Sequence, residues 1–454
     1  MTDDLTVECA STDTIFALAS APGRAGVAVI RVSGPASGDV LRDVCGLADL
    51  PEPRRTIRCR MVDPADGAAL DDGLAIRFAG PASFTGEDVA ELHIHGGRAT
   101  VEAVTSALAG MAGLRLAEPG EFSKRAFLAG KIDLTEAEAI ADLVDAGTDA
   151  QRRQALAQLG GGLADRLEVW RADLIDILAH SEAWIDFPDE DLPAAVEDAA
   201  RARISGLEDD IRAFLDDNRR GERLRDGLQI AILGAPNAGK SSLLNAIAAR
   251  EAAIVSATEG TTRDVIEVHL DLGGWPVTLA DTAGLREAAD DIEREGVRRA
   301  LDRAGTADLR LVVFDAGRPP DAASVAQLDA GGGVLTIANK ADLVDTPPAE
   351  IGGTPALAVS AKTGDGLPDL LRRLEGLAAA ALAGDEGVPL TRLRHRTALT
   401  ESAEALHRAA TGQGDSELVA EDLRIAARAL GRVTGRVDVE DLLDVIFNDF
   451  CIGK

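Results

Sequence analysis

One segment, Gly234-Ala235-Pro236-Asn237-Ala238-Gly239-Lys240-Ser241, constrains this chain more than any other. It follows an apolar run, Gln229-Ile230-Ala231-Ile232-Leu233, and precedes a helical one, Leu243-Leu244-Asn245-Ala246. The pattern is G-x-x-x-x-G-K-[ST] in a strand–loop–helix context. Its glycines let successive backbone N–H groups wrap an anion, and the helix N-terminus adds positive potential. Lys240 then reaches the β and γ oxygens of a nucleotide, and the Ser241 hydroxyl ligates Mg2+. Asn237, Ala238, Gly239, Lys240, Ser241 and Ser242 are therefore the phosphate-site candidates.

From about 226 to 380, short apolar strands alternate with helices. Leu311-Val312-Val313-Phe314, Val334-Leu335-Thr336-Ile337-Ala338 and Leu357-Ala358-Val359 read as strands buried on both faces, which implies a doubly wound, mostly parallel sheet. Val265 to Leu272 alternates instead, and Gly273-Gly274 turns it into Val277-Thr278-Leu279-Ala280, a hairpin. Further motifs stand at strand ends. Asp281-Thr282-Ala283-Gly284 offers an acid for Mg2+ through water and an N–H to sense a γ-phosphate. Asn339-Lys340-Ala341-Asp342 places a carboxylate where it accepts two hydrogen bonds from guanine N1 and the exocyclic amine, which adenine cannot supply. Ser360-Ala361-Lys362 offers a backbone N–H to the guanine carbonyl. Together they select GTP.

Gly260-Thr261-Thr262-Arg263-Asp264 lies between the first helix and the hairpin, and Thr262 is placed to ligate Mg2+ as part of a switch loop. Leu285 stands where a Gln commonly orients the attacking water, so something else must do so. Two candidates are Glu293, which is otherwise a solvated acid, and a monovalent cation held by the Asn237 side-chain oxygen and switch-loop carbonyls.

The chain has 454 residues, ample for about three domains. We read 1–125 as an N-terminal α+β domain, 126–225 as the first part of a helical domain, 226–380 as the P-loop domain inserted into it, and 381–454 as its second part with a Cys-bearing tail. The fold class is thus multidomain α/β. Lys and Arg number 47 against 77 Asp and Glu, a net charge of −30. That excludes nucleic-acid binding by bulk electrostatics. Aromatics are 3% and Tyr is absent, which argues against stacking platforms. No apolar run is long enough for a transmembrane helix, and the acidic start is unlike a signal peptide, so a cytoplasmic protein with no membrane association is expected. Four cysteines, Cys9, Cys45, Cys59 and Cys451, are too sparse for a disulfide framework.

Two sets of segments carry a resemblance. The nucleotide motifs, in this order, resemble those of potassium-activated GTPases. Pro22-Gly23-Arg24-Ala25-Gly26, Phe84-Thr85-Gly86-Glu87-Asp88, Glu91-Leu92-His93-Ile94-His95-Gly96-Gly97, Pro119-Gly120-Glu121-Phe122-Ser123, Lys131-Ile132-Asp133-Leu134 and the end Phe450-Cys451-Ile452-Gly453-Lys454 are similar to the MnmE (TrmE) family of tRNA-modification GTPases over essentially the whole chain. The resemblance implies a homodimer whose N-terminal domain binds a one-carbon donor, 5,10-methylene- or 5-formyl-tetrahydrofolate. It implies a flavin-dependent partner, MnmG (GidA), in a hetero-oligomer that installs a 5-(carboxymethyl)aminomethyl-type group on the wobble uridine of tRNA. By matching motif, Arg31, Glu87, Lys131 and Lys454 would contact the folate. Asn237 and the carbonyls of Ser256, Thr258 and Thr261 would ligate K+, and Glu293 would orient water.

Cys451 is either a nucleophile or acid beside the folate, or a packed small hydrophobe. His93 and His95 share a strand face, but without a third ligand nearby they read as structural. Three basic islands are candidate tRNA contacts or plain solvated faces: Arg54-Arg55 with Arg58 and Arg60; Arg219-Arg220 with Arg223 and Arg225; Arg392, Arg394, His395 and Arg396. The alternative function is a regulatory GTPase switch in ribosome assembly.

Overall fold

A computed structural model describes residues 13–186, 194–250, 267–281, 307–329, 333–384, 387–412, 416–437, 443, 446–447 and 450–453. The chain forms two compact units, residues 1–141 with 428–454, and residues 142–427. The divisions fall within the helices Leu134–Asp145 and Ser416–Thr434.

In the first unit, β1 (Thr14–Leu18), β2 (Ala25–Ser33), β3 (Thr56–Val62), β4 (Ala69–Phe78), β5 (Val89–Gly96) and β6 (Leu114–Leu116) form one sheet in the order β3-β4-β5-β2-β1-β6. β6 runs parallel to β1, and the other pairs are antiparallel. Alternation sets the two faces. Phe16, Ile30, Val32, Leu92 and Ile94 point into a core completed by Val40, Leu41, Val104 and Leu108 from the helices Ser37–Asp43 and Arg98–Ala109. The intervening positions face the other way. There Ile15 and Ala17 pack with Phe122 and, at the edge, Phe84. Arg31, cross-strand partner of Glu91, belongs to this second face. The C-terminal segment returns here: Leu443, Phe447 and Phe450 are buried with Leu134 and Ala137, and the Phe447 and Phe450 rings lie 5.3 Å apart.

The second unit combines helices with a seven-stranded sheet. β7 (Leu228–Leu233), β8 (Glu267–Leu272), β9 (Trp275–Asp281), β10 (Leu309–Asp315), β11 (Gly333–Asn339), β12 (Glu350–Ile351) and β13 (Thr354–Val359) are ordered β12-β13-β11-β10-β7-β9-β8. β13, β11, β10, β7 and β9 are mutually parallel, and antiparallel β8 and β12 close the two edges. β8 and β9 are the hairpin that the Gly273-Gly274 turn implies. The chain moves from β7 to β9 on one side and then to β10 on the other. The carboxyl end of β7 is therefore the topological switch point, where open α/β sheets place ligands.

The helices Ala194–Leu215 and Leu393–Thr411 lie along one another although the whole sheet separates them in sequence. The α/β segment is thus an insertion. Its two crossings are tied together. Arg225 before it and Arg392 after it both donate to Asp142 Oδ1, at 3.1 and 2.7 Å. Arg396 reaches back to Glu222 Oε1 at 2.8 Å and Asp217 Oδ1 at 2.6 Å. The helix Asp149–Leu159, which opens with a Thr148–Gln151 capping box, donates its Ala150 N–H to the hairpin carbonyl of Gly274 at 3.1 Å.

Candidate nucleotide site and a second charged cluster

At the end of β7 the backbone must turn sharply beneath its neighbour. A Cβ on Gly234 (φ +140) would stand 2.2 Å from the Val313 carbonyl oxygen of β10. One on Gly239 (φ +94) would stand 2.3 Å from Asn339 Nδ2. Only glycine fits either place. Between them Asn237 is left-handed at φ 63, a conformation Asn tolerates better than most residues. The buried Lys240 begins the helix Lys240–Arg250 and folds back over the loop, donating from Nζ to the carbonyls of Gly234 (2.8 Å) and Ala235 (3.0 Å). Ser241 and Ser242 are exposed in the first helical turn.

The motifs after β11 and β13 close on this loop. Asn339 is 1% exposed. Its Nδ2 donates to Ala238 O at 2.9 Å, and its Oδ1 accepts the Ala361 N–H at 3.1 Å. A single buried amide thus locks the phosphate loop to the Ser360-Ala361-Lys362 turn. Ser360 is fully buried and donates to Asp342 Oδ1 at 2.6 Å, which orients an otherwise exposed carboxylate. Lys340, left-handed at φ 63, donates from Nζ to Asn237 O at 2.7 Å and to Asp315 Oδ2 at 2.8 Å. That backbone costs a Lys about 1 kcal/mol, offset by the two charged hydrogen bonds. The Lys340 ammonium, with Gly317 N–H, holds the Asp315 carboxyl below the usual carboxylate range.

The structure therefore brings together Asn237, Ala238, Gly239, Lys240, Asn339, Lys340, Asp342, Ser360 and Ala361, with Lys362 exposed on the same turn. In this turn the Ala361 N–H donates to Asn339 Oδ1. The backbone of Asp281, last in β9, lies in register with Ile232, two residues before the loop. Ser256, Thr258, Thr261, Thr262, Thr282, Ala283, Gly284 and Glu293 lie outside the described residues. Asp315 had no signal in the sequence beyond an acid at a strand end.

The second face of the first unit carries a charged cluster. Arg31 donates to Glu91 Oε1 at 3.0 and 3.1 Å, and its guanidinium lies 5.6 and 5.7 Å from the Phe84 and Phe122 rings. Glu87 accepts from Ser33 Oγ at 2.7 Å and from Arg125 at 3.1 and 3.2 Å. Lys131 Nζ donates to Pro81 O at 2.8 Å, and its side chain passes Gly86 in the loop that carries Glu87. Arg31, Glu87 and Lys131 thus converge on the loop from β4 to β5. Lys454 lies outside the described residues. Arg125 stands in Arg125-Ala126-Phe127, part of the family likeness, but the sequence assigns it no role; it is 8% exposed and also pairs with Asp13 at 2.9 Å and Glu121 at 3.0 Å. Burial pushes the Glu121 carboxyl up, but hydrogen bonds from Arg115, the Glu118 N–H and Arg125 outweigh it and hold it below its ordinary value.

The tail lies beside this unit's Pro119-Gly120. Ile452 bridges Pro119, and Gly120 N–H donates to Cys451 O at 3.4 Å. Cys451 is a free, exposed cysteine, not a packed one. His95 Nδ1 hydrogen-bonds Asp71 at 2.8 Å and His93 faces Glu91 at 3.5 Å, and no metal-binding group of three such side chains occurs among the described residues. Most of the basic islands are internally neutralised: Arg58 pairs with Asp72, Arg219 with Glu222, Arg223 with Asp308, Arg225 and Arg392 with Asp142, and Arg396 with Asp217 and Glu222. No helix among the described residues is long and apolar enough to cross a membrane.

A parallel sheet with a glycine-lysine-serine loop at its switch point, locked to an Asn-Lys-x-Asp turn, defines a P-loop GTPase. Two family models match the chain, "MnmE helical domain" over residues 134–451 and "GTP-binding protein TrmE N-terminus" over residues 14–131. The chain belongs to the MnmE family of GTPases. It is 59% identical to the tRNA modification GTPase MnmE of Paramagnetospirillum magneticum, across 97% of this chain and 100% of that protein. It is 56% identical to the proteins of that name from Rhodospirillum rubrum (97% and 99% covered) and Parvibaculum lavamentivorans (97% and 100%). This membership favours the enzyme reading over the ribosome-assembly switch.

Proposed function

We propose that this GTP hydrolase acts in the cytoplasm on tRNA as a homodimer stimulated by K+. With a flavin-dependent MnmG-type partner and a tetrahydrofolate one-carbon donor, it forms the (carboxymethyl)aminomethyl-type group on wobble uridine. The observation that carries the nucleotide half is the buried Asn339 amide, which fastens the phosphate loop and the Ser360-Ala361 turn into one preorganised surface. On that surface Asp342, aimed by Ser360, accepts the guanine N1–H and amino hydrogen bonds. The loop N–H groups and Lys240 hold the β and γ phosphates. Asn339 acts by holding the loops.

The described residues of each implied ion site suit its ion. Ser241 is exposed at the helix start, and Asp281 ends the strand beside the loop; with Thr262 they would hold Mg2+, which supplies positive charge at the phosphate oxygens. The left-handed Asn237 would present its amide oxygen to K+ with the carbonyls of Ser256, Thr258 and Thr261. Glu293 would orient the water. In the first unit, the Glu87 carboxylate, held by Ser33 and Arg125 yet 23% exposed, suits the amino-pyrimidine end of a pterin, and Arg31, Lys131 and Lys454 suit carboxylates. Cys451, exposed beside Gly120, is available as nucleophile or acid. With most of the island arginines already paired, much of the tRNA-facing charge comes from the partner protein.

The test is GTP hydrolysis by the full chain in KCl and in NaCl at equal ionic strength. A rate about tenfold or more higher in KCl is expected. Equal rates overturn the cation role. Calorimetric titration with 5-formyl-tetrahydrofolate is expected to show binding, and a flat titration by a dimeric sample returns the reading to a switch.

A further inference from the structure

Asp315 belongs to none of the nucleotide motifs, yet it stands in register with Asn339 across the β10–β11 pair, so its side chain meets the next residue, Lys340. Its two oxygens have separate tasks. Oδ1 accepts the Gly317 N–H at 3.0 Å, which fixes the carboxylate against its own turn. Oδ2 receives the Lys340 ammonium at 2.8 Å, and its side chain is only 14% exposed. The same ammonium donates to the Asn237 carbonyl at 2.7 Å, in the middle of the phosphate loop. Arg318 is a weaker, exposed competitor at 3.6 Å. Asn237 and Lys340 are both left-handed, so each needs an external hold to keep its backbone in place.

We propose that Asp315 is a positioning residue for nucleotide binding: it fixes the Lys340 ammonium against the Asn237 carbonyl and so holds the phosphate loop in its anion-wrapping form. Without this anchor the ammonium is free to leave the loop. Asn237 then relaxes, and its N–H neighbours no longer converge. A second leg rests on the potassium reading proposed above. The Asn237 side chain is carried by the same backbone, so its hold on K+ depends on Asp315 as well.

The experiment measures the affinity of the full chain for a fluorescent N-methylanthraniloyl derivative of GDP, with Mg2+ present. Asp315→Ala is expected to weaken binding about tenfold, the loss of one well-placed charged hydrogen bond. Asp315→Asn keeps the volume and the Gly317 bond, and it is expected to weaken binding less. It serves as the measurement should the alanine variant fail to fold. The double variant with Lys340→Met is expected to bind within about twofold of Lys340→Met alone. Wild-type affinity in both Asp315 variants overturns the proposal, as does full additivity in the double variant, since Asp315 would then act independently of Lys340. In Asp315→Asn the KCl concentration for half-maximal hydrolysis is expected to rise. An unmoved midpoint overturns the Asn237 leg alone. A wild-type enzyme indifferent to KCl overturns the potassium reading and leaves the GDP result standing.

Discussion

At Asp342 one carboxylate oxygen is bound by Ser360, and under the proposed function the other faces the base. Asp342→Asn can keep its carbonyl oxygen toward Ser360 and turn its amino group outward, so an acceptor edge becomes a donor edge. Xanthine carries a carbonyl where guanine carries its amine. The variant is therefore expected to lose GTP by about 100-fold and gain XTP, read by competition binding; retained strict guanine preference would contradict the base-reading role. Glu121 makes a different statement. Its folded-state carboxyl sits below its ordinary value, so it contributes stability above the unfolded glutamate pKa of about 4.3, and that contribution drains as pH falls below it. Urea midpoints measured from pH 7 down to about 3 are expected to fall less steeply for Glu121→Gln than for the native chain. Parallel slopes would assign the acid sensitivity elsewhere.

Among elements, what could be read from the sequence divides by the distance over which each signal acts. The loop at 234–241 and the turns after β11 and β13 declare themselves because glycines, Lys240, Asn339 and Asp342 stand at fixed local spacings beside apolar strands. The hairpin at Gly273-Gly274 was legible for the same reason. The roles of Arg125 and Asp315 were not: beyond its local partner Glu121, Arg125 meets Glu87 and Asp13, 38 and 112 residues away, and Lys340 is 25 from Asp315. The helix Asp149–Leu159 escaped because its inward positions include Gln154 and Gln158, which hydrogen-bond Gly221 O and Thr391 Oγ1 instead of packing as an apolar stripe. The acid partners of the arginine islands were not legible either, because charge runs carry no mark of the carboxylates that meet them. The pairs of Arg225, Arg392 and Arg396 join helices that lie far apart in sequence. Asp142→Ala leaves Arg225 and Arg392 without their shared acceptor, and Arg392 is only 16% exposed. A loss of about 2 kcal/mol is expected, a fall of roughly 4–8 °C in melting temperature for a unit this size, with Asp142→Asn intermediate. An unchanged melting temperature would show the pairs to be ornamental.

Over the whole molecule, the net charge of −30 coexists with arginines already committed to internal acids, so the surface left to solvent is more acidic than the arginine count suggests. The helices around the nucleotide domain have a further property. The chain departs from them at Asp226 and is back by Leu390, whose carbonyl touches Gly221, and both crossings fasten to the same oxygen of Asp142. An intervening segment whose two ends meet at one spot is a cassette: a short flexible bridge could close the gap it leaves, and a domain of similar end spacing could be grafted in its place, without rethreading anything around it. That is a route by which a nucleotide-driven module can be gained or exchanged by a helical scaffold without refolding its host.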